Sequence, residues 1–334
     1  MAYLGAAGVT AREMENALGY RASGIEGESV HKGFKTEQSR LNSIQEKYEL
    51  SSINAALIQN GYTISQSYID GLEQYYKSAI KEVNFTDSVS VLEWANAWGY
   101  WASHSKINNL LSEKLPETTK MILLNGVYFK GKWLKPFDPK NTREEVFTNE
   151  NGQEVVIPVM HGTFNTPYAE YAHLSTYAIS FPYVDEDMSM IVLLPSEISD
   201  LKSLEKGLTT AILDDILSQM ETQVVKVGLP KFELNDNRNL KKSLKSLGME
   251  STFTEINADF SGITGNRDLY LEEVLHQAVI QVNEEGTTAA ANTVIQLDNR
   301  RKSLELIINR PFLFLIRDNR SGLILFLGRV AQLK

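Results

Sequence analysis

The segment that most constrains the fold is a strand pattern at 270–282 that runs directly into a long stretch of small residues. One face of this pattern carries four apolar residues and a histidine at every second position, namely Val274, His276, Ala278, Ile280 and Val282. Such alternation predicts a strand of a sheet. Residues 286–303 contain one glycine and no proline, whereas ordinary loops between strands are short and rich in turn formers. We therefore expect 286–303 to form a long loop that can itself adopt a strand conformation.

Composition is that of an ordinary globular protein and excludes several functions. Of the 334 residues, 43% are hydrophobic and 22% are charged, and the net charge is −9, so nucleic acid is not an expected partner. The chain has no cysteine, which excludes disulfides and thiolate chemistry and leaves the compartment open. The sequence contains no run of eighteen apolar residues, so no membrane-spanning helix is predicted and a membrane is not an expected partner.

The sequence lacks the motifs of the common catalytic sites. It has no GxSxG elbow, phosphate loop, dinucleotide fingerprint or HExxH pair, each of which would indicate a particular chemistry. The five histidines are scattered along the chain, at His31, His104, His161, His173 and His276. We therefore predict neither an enzyme nor a bound metal or cofactor.

Apolar periodicity predicts a single α+β domain over 1–334. A short helix is expected at 10–18, where Thr10 and Glu13 form a capping-box pattern. The continuous apolar run at 121–129 predicts a central strand that is covered on both faces. Further elements are predicted as helices at 27–42, 65–80, 87–113, 201–220 and 239–247, and as strands at 51–60, 223–234 and 270–282, with a C-terminal hairpin across 319–322.

Seven motifs, taken in chain order, resemble those of the inhibitory serpins, a family of protease inhibitors. They are LLNGVYFKGKW at 123–133, PYVDEDMSMIVLLP at 182–195, LPKFEL at 229–234, ADFSGI at 258–263, NEEGTTAAA at 283–291, RPFLFLIRD at 310–318 and FLGRV at 326–330. The resemblance implies a serpin-like fold of three mostly antiparallel β-sheets, about eight helices and an exposed reactive-centre loop at 286–303. It also implies a monomer that lacks the family's first helix, since the sequence from Met1 resembles the middle of the second helix.

The resemblance implies a suicide inhibitor. In the family, a protease attacks the loop as a substrate, forms an acyl-enzyme, and is trapped when the hinge inserts between two strands, here those at 121–129 and 270–282. The hinge comprises Glu284, Glu285, Gly286, Thr287, Thr288, Ala289, Ala290 and Ala291. Its alternate residues Thr287, Ala289 and Ala291 are small and uncharged, as burial of an inserting strand requires.

The reactive bond is expected at Arg300–Arg301. In the family it usually lies after the fourteenth residue beyond the hinge glycine, and this count from Gly286 and a count of eleven back from Pro311 both reach Arg300. A guanidinium suits a specificity pocket with a carboxylate at its base, so a trypsin-like serine protease is the implied target. The next two bonds also follow basic residues, so a shifted register stays open, as does inhibition of a papain-like cysteine protease.

The resemblance also implies polar side chains that govern the opening of the main sheet. It puts Asn125 and His276 in the family's shutter, on neighbouring strands, and groups Trp133 with them at the shutter and breach. An unpaired polar group in such a buried place costs about 1–3 kcal/mol. Asn125 and His276 are therefore expected to form a hydrogen bond that acts as a latch.

Partners and compartment are predicted from weaker signals. A non-inhibitory serpin-like carrier or chaperone is the alternative function, and it would be expected to carry a hinge that cannot insert. Heparin is not an expected partner, because basic and acidic residues alternate in the helix at 27–42. Two glycosylation acceptor motifs, at Asn84 and Asn319, favour a secreted protein over a cytoplasmic one, although the chain shows no signal peptide.

Overall fold

The strands predicted at 121–129 and 270–282 lie side by side in the computed structural model. The structure describes residues 1–43, 48–198, 201–285 and 304–334. These residues form two compact units, of which the first comprises Met1–Lys130 and Leu234–Ile280, and the second comprises Gly131–Glu233 and Gln281–Lys334. The prediction of a single domain stays a prediction.

The described residues include nine α-helices. They are α1 (Ala2–Gly5), α2 (Gly8–Ala17), α3 (Glu28–Ser43), α4 (Gln66–Gly71), α5 (Ser88–Ala102), α6 (Leu201–Gly207), α7 (Thr210–Ser218), α8 (Lys241–Ser246) and α9 (Ser261–Thr264). Helix α4 continues as a π-helical turn at Leu72–Tyr76.

Thirteen strands are described. They are β1 (Glu49–Gln59), β2 (Ala79–Val83), β3 (Met121–Lys130), β4 (Arg143–Thr148), β5 (Glu154–Tyr171), β6 (Thr176–Pro182), β7 (Met188–Pro195), β8 (Glu221–Pro230), β9 (Phe232–Asn239), β10 (Leu271–Val282), β11 (Leu304–Ile307), β12 (Phe312–Asp318) and β13 (Ile324–Val330).

The first sheet has the strand order β2-β1-β3-β10-β9. Strand β3 pairs antiparallel with β1 and parallel with β10. Its side chains alternate between two apolar clusters: Ile122 and Leu124 pack with Phe85 and Val91, whereas Met121 and Leu123 pack in a cluster on the other face. Because both faces of β3 are covered, its sequence is a continuous apolar run, as predicted.

The second sheet has the strand order β11-β8-β5-β6-β7-β12-β13, with β4 on β5. Strand β5 pairs with β4 near its start, with β8 over its middle and with β6 at its end. The described strands therefore form two sheets where three were expected, since β5 is long enough to pair with three other strands. The fold class is confirmed, and the predicted C-terminal hairpin is the antiparallel pair of β12 and β13.

Three predicted helix ranges are wrong. The helix predicted at 65–80 ends at Tyr76, and Ala79 begins β2. The other two differ because of side-chain hydrogen bonds. Helix α5 ends at Ala102 rather than continuing to 113, because the Ser103 hydroxyl donates to the Gly99 carbonyl at 2.6 Å and accepts from the Ile107 N–H at 2.7 Å. The two residues that follow Ser103 have positive φ, which ends the helix. The helix predicted at 201–220 is interrupted where Thr209 caps α7 by accepting from the Ile212 N–H.

The capping box predicted at Thr10 and Glu13 is also wrong. Helix α2 begins before Thr10, whose side chain is buried. Its hydroxyl accepts from the Asp259 N–H at 2.9 Å, while Glu13 accepts from the N–H and the hydroxyl of Ser251, each at 2.8 Å. The pair therefore forms tertiary contacts instead of capping its own helix.

Candidate functional site

The residues that follow β10 are held by the segment that follows β3. The indole N–H of Trp133 donates to the carbonyl of Asn283 at 2.7 Å. The backbone N–H of Trp133 donates to the Glu285 carbonyl at 3.1 Å, and that of Phe137 to the Glu284 carbonyl at 3.2 Å. The carbonyl groups of Asn283 and of the first two residues of the predicted hinge are therefore all hydrogen-bonded.

The side chain of Glu284 is fixed by two further partners. One carboxylate oxygen lies 3.0 Å from the Lys231 ammonium, and the other accepts from the Thr142 hydroxyl at 2.9 Å. Burial disfavours the charged carboxylate, but these bonds and a backbone hydrogen bond outweigh it and hold the pKa of Glu284 below its usual value. We call Trp133, Phe137, Thr142 and Lys231, with Asn283–Glu285, the hinge clasp.

Trp133 is positioned by aromatic packing. Its indole is 3% exposed and stacks on Tyr183, with ring centroids 4.6 Å apart and an interplanar angle of 9°. The two residues also form an isolated β-bridge. Because the ring cannot rotate without losing this stack, its N–H is directed at Asn283.

Strands β3 and β10 pair directly along their length. Their parallel register runs from Met121 opposite Leu271 to Phe129 opposite Ile280, with one irregularity at Leu271–Glu273. No described strand lies between them. A chain that left β10 and turned back between the two would be antiparallel to both. Antiparallel pairing is slightly more stable per residue than the parallel pairing it would replace.

Two predicted site residues meet on these strands. In the parallel register His276 lies opposite Asn125, and Nδ1 of His276 is 2.5 Å from Oδ1 of Asn125. The Asn125 amide then donates to Oδ1 of Asn54 on β1 at 2.8 Å. We call Asn54, Asn125 and His276 the polar latch, and its role in governing sheet opening stays a prediction.

The hydrogen bonds indicate the tautomer of His276. The amide oxygen of Asn125 can only accept, so the imidazole donates from Nδ1, and in the neutral ring Nε2 then carries no proton. Burial lowers the pKa of His276, and the nearby Arg238 lowers it further, whereas Asp236 raises it. The latch is therefore a chain of neutral groups.

Four residues of these two clusters were missed by sequence reasoning. They are Asn54, Phe137, Thr142 and Lys231. Only Asn54 had a signal, since it is a polar residue within a strand that was predicted to be buried. A further buried polar contact on β10 was also missed: Gln277 is 2% exposed and donates to the amide oxygen of Asn235 at 2.8 Å.

The remaining predicted site residues lie outside the described residues. They are Gly286, Thr287, Thr288, Ala289, Ala290, Ala291, Arg300 and Arg301, all within 286–303. Within the described ranges, no group of three or more histidine or acidic side chains could hold a metal ion. Among the helices that the structure describes, none is both long enough and apolar enough to cross a membrane.

The sequence matches the family model described as serpin (serine protease inhibitor) over residues 1–333. The chain is 37% identical over 340 residues to intracellular coagulation inhibitor 1 of Tachypleus tridentatus, covering 100% of this chain and 81% of that protein. It is 35% identical over 341 residues to iripin-8 of Ixodes ricinus, covering 100% and 85%, and 33% identical over 354 residues to human serpin B10, covering 99% and 89%.

Solved structures agree with these relatives. The fold matches mouse protein-Z dependent protease inhibitor with a TM-score of 0.91 and 28% identity, over 100% of this chain and 87% of that one. It matches native protease nexin-1 with heparin with a TM-score of 0.87 and 29% identity, over 99% and 89%. Because the family model spans nearly the whole chain and the neighbours share its fold, the chain belongs to the serpin family of protease inhibitors and is not an enzyme.

Proposed function

We propose that this serpin traps an arginine-specific, trypsin-like serine protease by cleavage at Arg300–Arg301 and insertion of the hinge between β3 and β10. The observation that carries the proposal is the direct parallel pairing of these strands beside the point where the hinge leaves β10. The hinge residues can follow β10, turn back, and pair with both strands.

The covalent step follows ordinary acyl transfer. The protease serine oxygen bonds to the carbonyl carbon of Arg300, the bond from that carbon to the nitrogen of Arg301 breaks, and the serine proton passes through the protease histidine to the new amine. The product is an ester with a free N-terminus at Arg301. Trapping then requires that insertion be faster than hydrolysis of this ester.

Insertion has a favourable driving force. About ten to fifteen new backbone hydrogen bonds, at about 1 kcal/mol each, give a driving force on the order of 10 kcal/mol. The alternate hinge residues Thr287, Ala289 and Ala291 are small and uncharged, so their burial adds no unpaired charge. This composition favours an inhibitor over a carrier whose hinge cannot insert.

The proposed target follows from Arg300. A guanidinium forms a charge-assisted pair with a carboxylate at the base of a specificity pocket, and this pair is stronger than a neutral hydrogen bond. The names of the relatives support protease inhibition in general, through the words coagulation inhibitor and serpin. The arginine specificity rests on the sequence count alone.

Heparin is not part of the proposal. In helix α3 the ammonium of Lys32 lies 3.2 Å from Glu28, and the guanidinium of Arg40 lies 2.7 Å from Glu37. Acids therefore offset two of the basic groups that a sulfated chain would need. The protease nexin-1 neighbour contains heparin, so a heparin titration of the inhibition rate is the direct check, and we expect no acceleration.

The sequence-based expectation of secretion is not supported. Two relatives, intracellular coagulation inhibitors 1 and 2, carry the word intracellular in their names. At the second acceptor motif, the Asn319 amide donates to the Glu186 carbonyl and to the Ser189 hydroxyl, each at 2.8 Å. A glycan on that nitrogen would remove one of these bonds, so we favour action inside the cell.

The proposal is tested by mixing the protein with trypsin and separating the products in denaturing detergent. We expect a covalent complex together with a C-terminal peptide that begins at Arg301. Arg300→Ala should abolish the complex, whereas the matched control Arg301→Ala should retain it. Clean cleavage that leaves trypsin fully active would overturn the inhibitor proposal. A peptide beginning at Lys302 or Ser303 would show that the reactive bond lies one or two residues after Arg300–Arg301.

A further inference from the structure

The side chain of Gln277 on β10 leaves one buried hydrogen-bonding atom unused. Gln277 is 2% exposed, and its amide nitrogen donates to the amide oxygen of Asn235 on β9 at 2.8 Å. Its amide oxygen, Oε1, accepts no hydrogen bond from any residue that the structure describes. Buried polar atoms nearly always have a partner. Oε1 is therefore an acceptor that stays unsatisfied while β3 and β10 are paired.

The strand beside Gln277 explains why Oε1 has no partner. In the parallel register, Gln277 lies opposite Gly126 of β3, which has no side chain that could donate. A Cβ atom built on Gly126 would lie 3.0 Å from Ile53 and 3.1 Å from Ile107, so apolar side chains already pack over the glycine. A strand that entered between β3 and β10 would replace Gly126 as the neighbour of Gln277 and could bring a donor.

Polarity indicates which hinge residues would share the face of Gln277. Side chains alternate between the two faces of a strand, so the face of β10 that carries Gln277 also carries Gln281. The opposite face is apolar at the same end of the strand, with Ala278, Ile280 and Val282. The small hinge residues proposed for burial match this apolar face. The alternate residues, which include Thr288 and Asn292, therefore take the face of the two glutamines.

The end of β10 fixes the register of an inserted strand. Val282 is the last residue of β10, and Thr287 is the first hinge residue proposed to be buried. Residues directly opposite each other in an antiparallel pair share a face, so Thr287 can lie opposite Val282. The connection is then the four residues 283–286, which is a common hairpin length. Counting from this pair, the residue opposite Gln277 is Asn292.

We propose that Gln277 is a positioning residue for the inserted hinge, with Oε1 accepting a hydrogen bond from the side-chain amide of Asn292. This inference rests on the proposed insertion. A shift of two residues in either direction would keep the faces but put Ala290 or Val294 opposite Gln277, and neither side chain can donate. The pair of amides therefore favours one register of the inserted strand over its neighbours.

The test compares native and loop-cleaved forms of four proteins, namely the unaltered chain, Gln277→Met, Asn292→Leu and the double variant. The cleaved form is the free cleaved inhibitor recovered from its reaction with trypsin, and both forms are unfolded by heat in guanidinium chloride. Asn292→Leu should leave the native midpoint unchanged and lower the cleaved midpoint by about 1–2 °C. This loss should vanish in the Gln277→Met background, because the bond is already absent there.

Thr288→Leu is the matched control. Residue 288 takes the same face as Asn292 and falls opposite Gln281 in the same count, so its effect should be equal with and without the Gln277 amide. If Gln277→Met does not fold, Asn292→Leu decides alone, and an equal loss in the native and cleaved forms would overturn the inference.

The same measurements separate this inference from the proposed function. Insertion adds backbone hydrogen bonds, so cleavage should raise the midpoint of the unaltered chain. If cleavage does not raise it, insertion fails and the role of Gln277 fails with it. If cleavage raises it but Asn292→Leu costs the same in both Gln277 backgrounds, or Thr288→Leu depends on Gln277 to the same extent, insertion stands and the role of Gln277 is overturned.

Discussion

The hinge clasp and the polar latch hold their strands by different kinds of bond. In the clasp, donors reach backbone carbonyls at Asn283, Glu284 and Glu285, and an ion pair holds one side chain. In the latch, the bonds from His276 to Asn125 and from Asn125 to Asn54 each join two side chains. The clasp therefore depends on the charge of Glu284 and on the ring of Trp133. The latch instead depends on the side-chain hydrogen-bonding groups of all three of its residues.

This difference predicts how each cluster fails. Reversing a charge in the clasp replaces an attraction with a repulsion in a place where Glu284 is only 14% exposed. Removing one member of the latch leaves a neutral partner unsatisfied, which costs less. Variants in the two clusters should therefore differ in how much stability they lose and in how that stability changes with pH.

The largest expected effect on stability is that of Glu284→Lys. The new ammonium would face Lys231 and could not accept the hydrogen bond from Thr142. We expect a loss on the order of 3 kcal/mol, since one partner of a part-buried ion pair becomes a like charge. Thermal unfolding should show a clearly lower midpoint, and Glu284→Gln should show a smaller decrease because its amide oxygen can still accept from Thr142.

The control for this prediction is Glu221→Lys. It makes the same change of charge on an exposed side chain that lies outside the clasp. If both substitutions lowered the midpoint equally, net charge rather than the clasp would explain the loss.

The next largest expected loss of stability follows from replacing one latch residue. Asn125→Leu and His276→Leu should each destabilise the protein by about 1–3 kcal/mol, because the remaining partner loses its hydrogen bond. The double variant should cost less than the sum of the two, by about 1 kcal/mol or more, since the second change removes a group that is already unsatisfied. Denaturant unfolding of all four proteins measures this coupling, and strictly additive losses would contradict the latch.

The smallest expected effect is on how the stability of the protein changes with pH. Burial lowers the pKa of His276 in the folded chain. Below about pH 6.5 the unfolded chain therefore binds more protons than the folded chain, and stability falls as the pH falls. The pKa of Glu284 is also lowered, but its contribution is lost only in more acidic solution, below the usual value of 4.5. The latch should therefore weaken at a higher pH than the clasp.

This pH dependence is measured with His276→Gln. Between about pH 5.5 and pH 7.5 its unfolding midpoint should vary less than that of the unaltered chain. Burial also lowers the pKa of His31, so His31→Gln shows how much of the slope comes from that residue. An unchanged slope in His276→Gln would mean that the latch histidine does not titrate differently on folding.

The strands were easier to predict than the helix limits. Strands β3 and β10 begin and end within one residue of the predicted ranges 121–129 and 270–282, because their apolar patterns follow directly from burial. The end of α5 depends on the hydrogen bonds of Ser103, and Thr10 bonds to the distant Asp259 instead of capping α2. Apolar periodicity contains no information about such bonds.

The candidate site was predictable only in part. Asn125 and His276 are polar residues within apolar strands, so their pairing could be anticipated from the sequence. Lys231 and Thr142 are ordinary polar residues in their own segments, and only the folded chain brings them to Glu284.

Insertion of the hinge with alternate residues buried is the central claim, and a matched pair of threonine variants tests it most directly. Thr287→Arg would require burial of an unpaired charge, at a cost of several kcal/mol, whereas Thr288→Arg would place the charge on the opposite face of the inserted strand. Arg300 is remote from both positions in the sequence, so both variants should be cleaved by trypsin at a similar rate.

The measurement is the fraction of cleaved inhibitor that remains covalently attached to trypsin in denaturing gels. We predict that Thr288→Arg retains most of the complex, while Thr287→Arg gives cleaved inhibitor and free, active trypsin. Equal yields of complex from the two variants, or stoichiometric trapping by Thr287→Arg, would contradict the account.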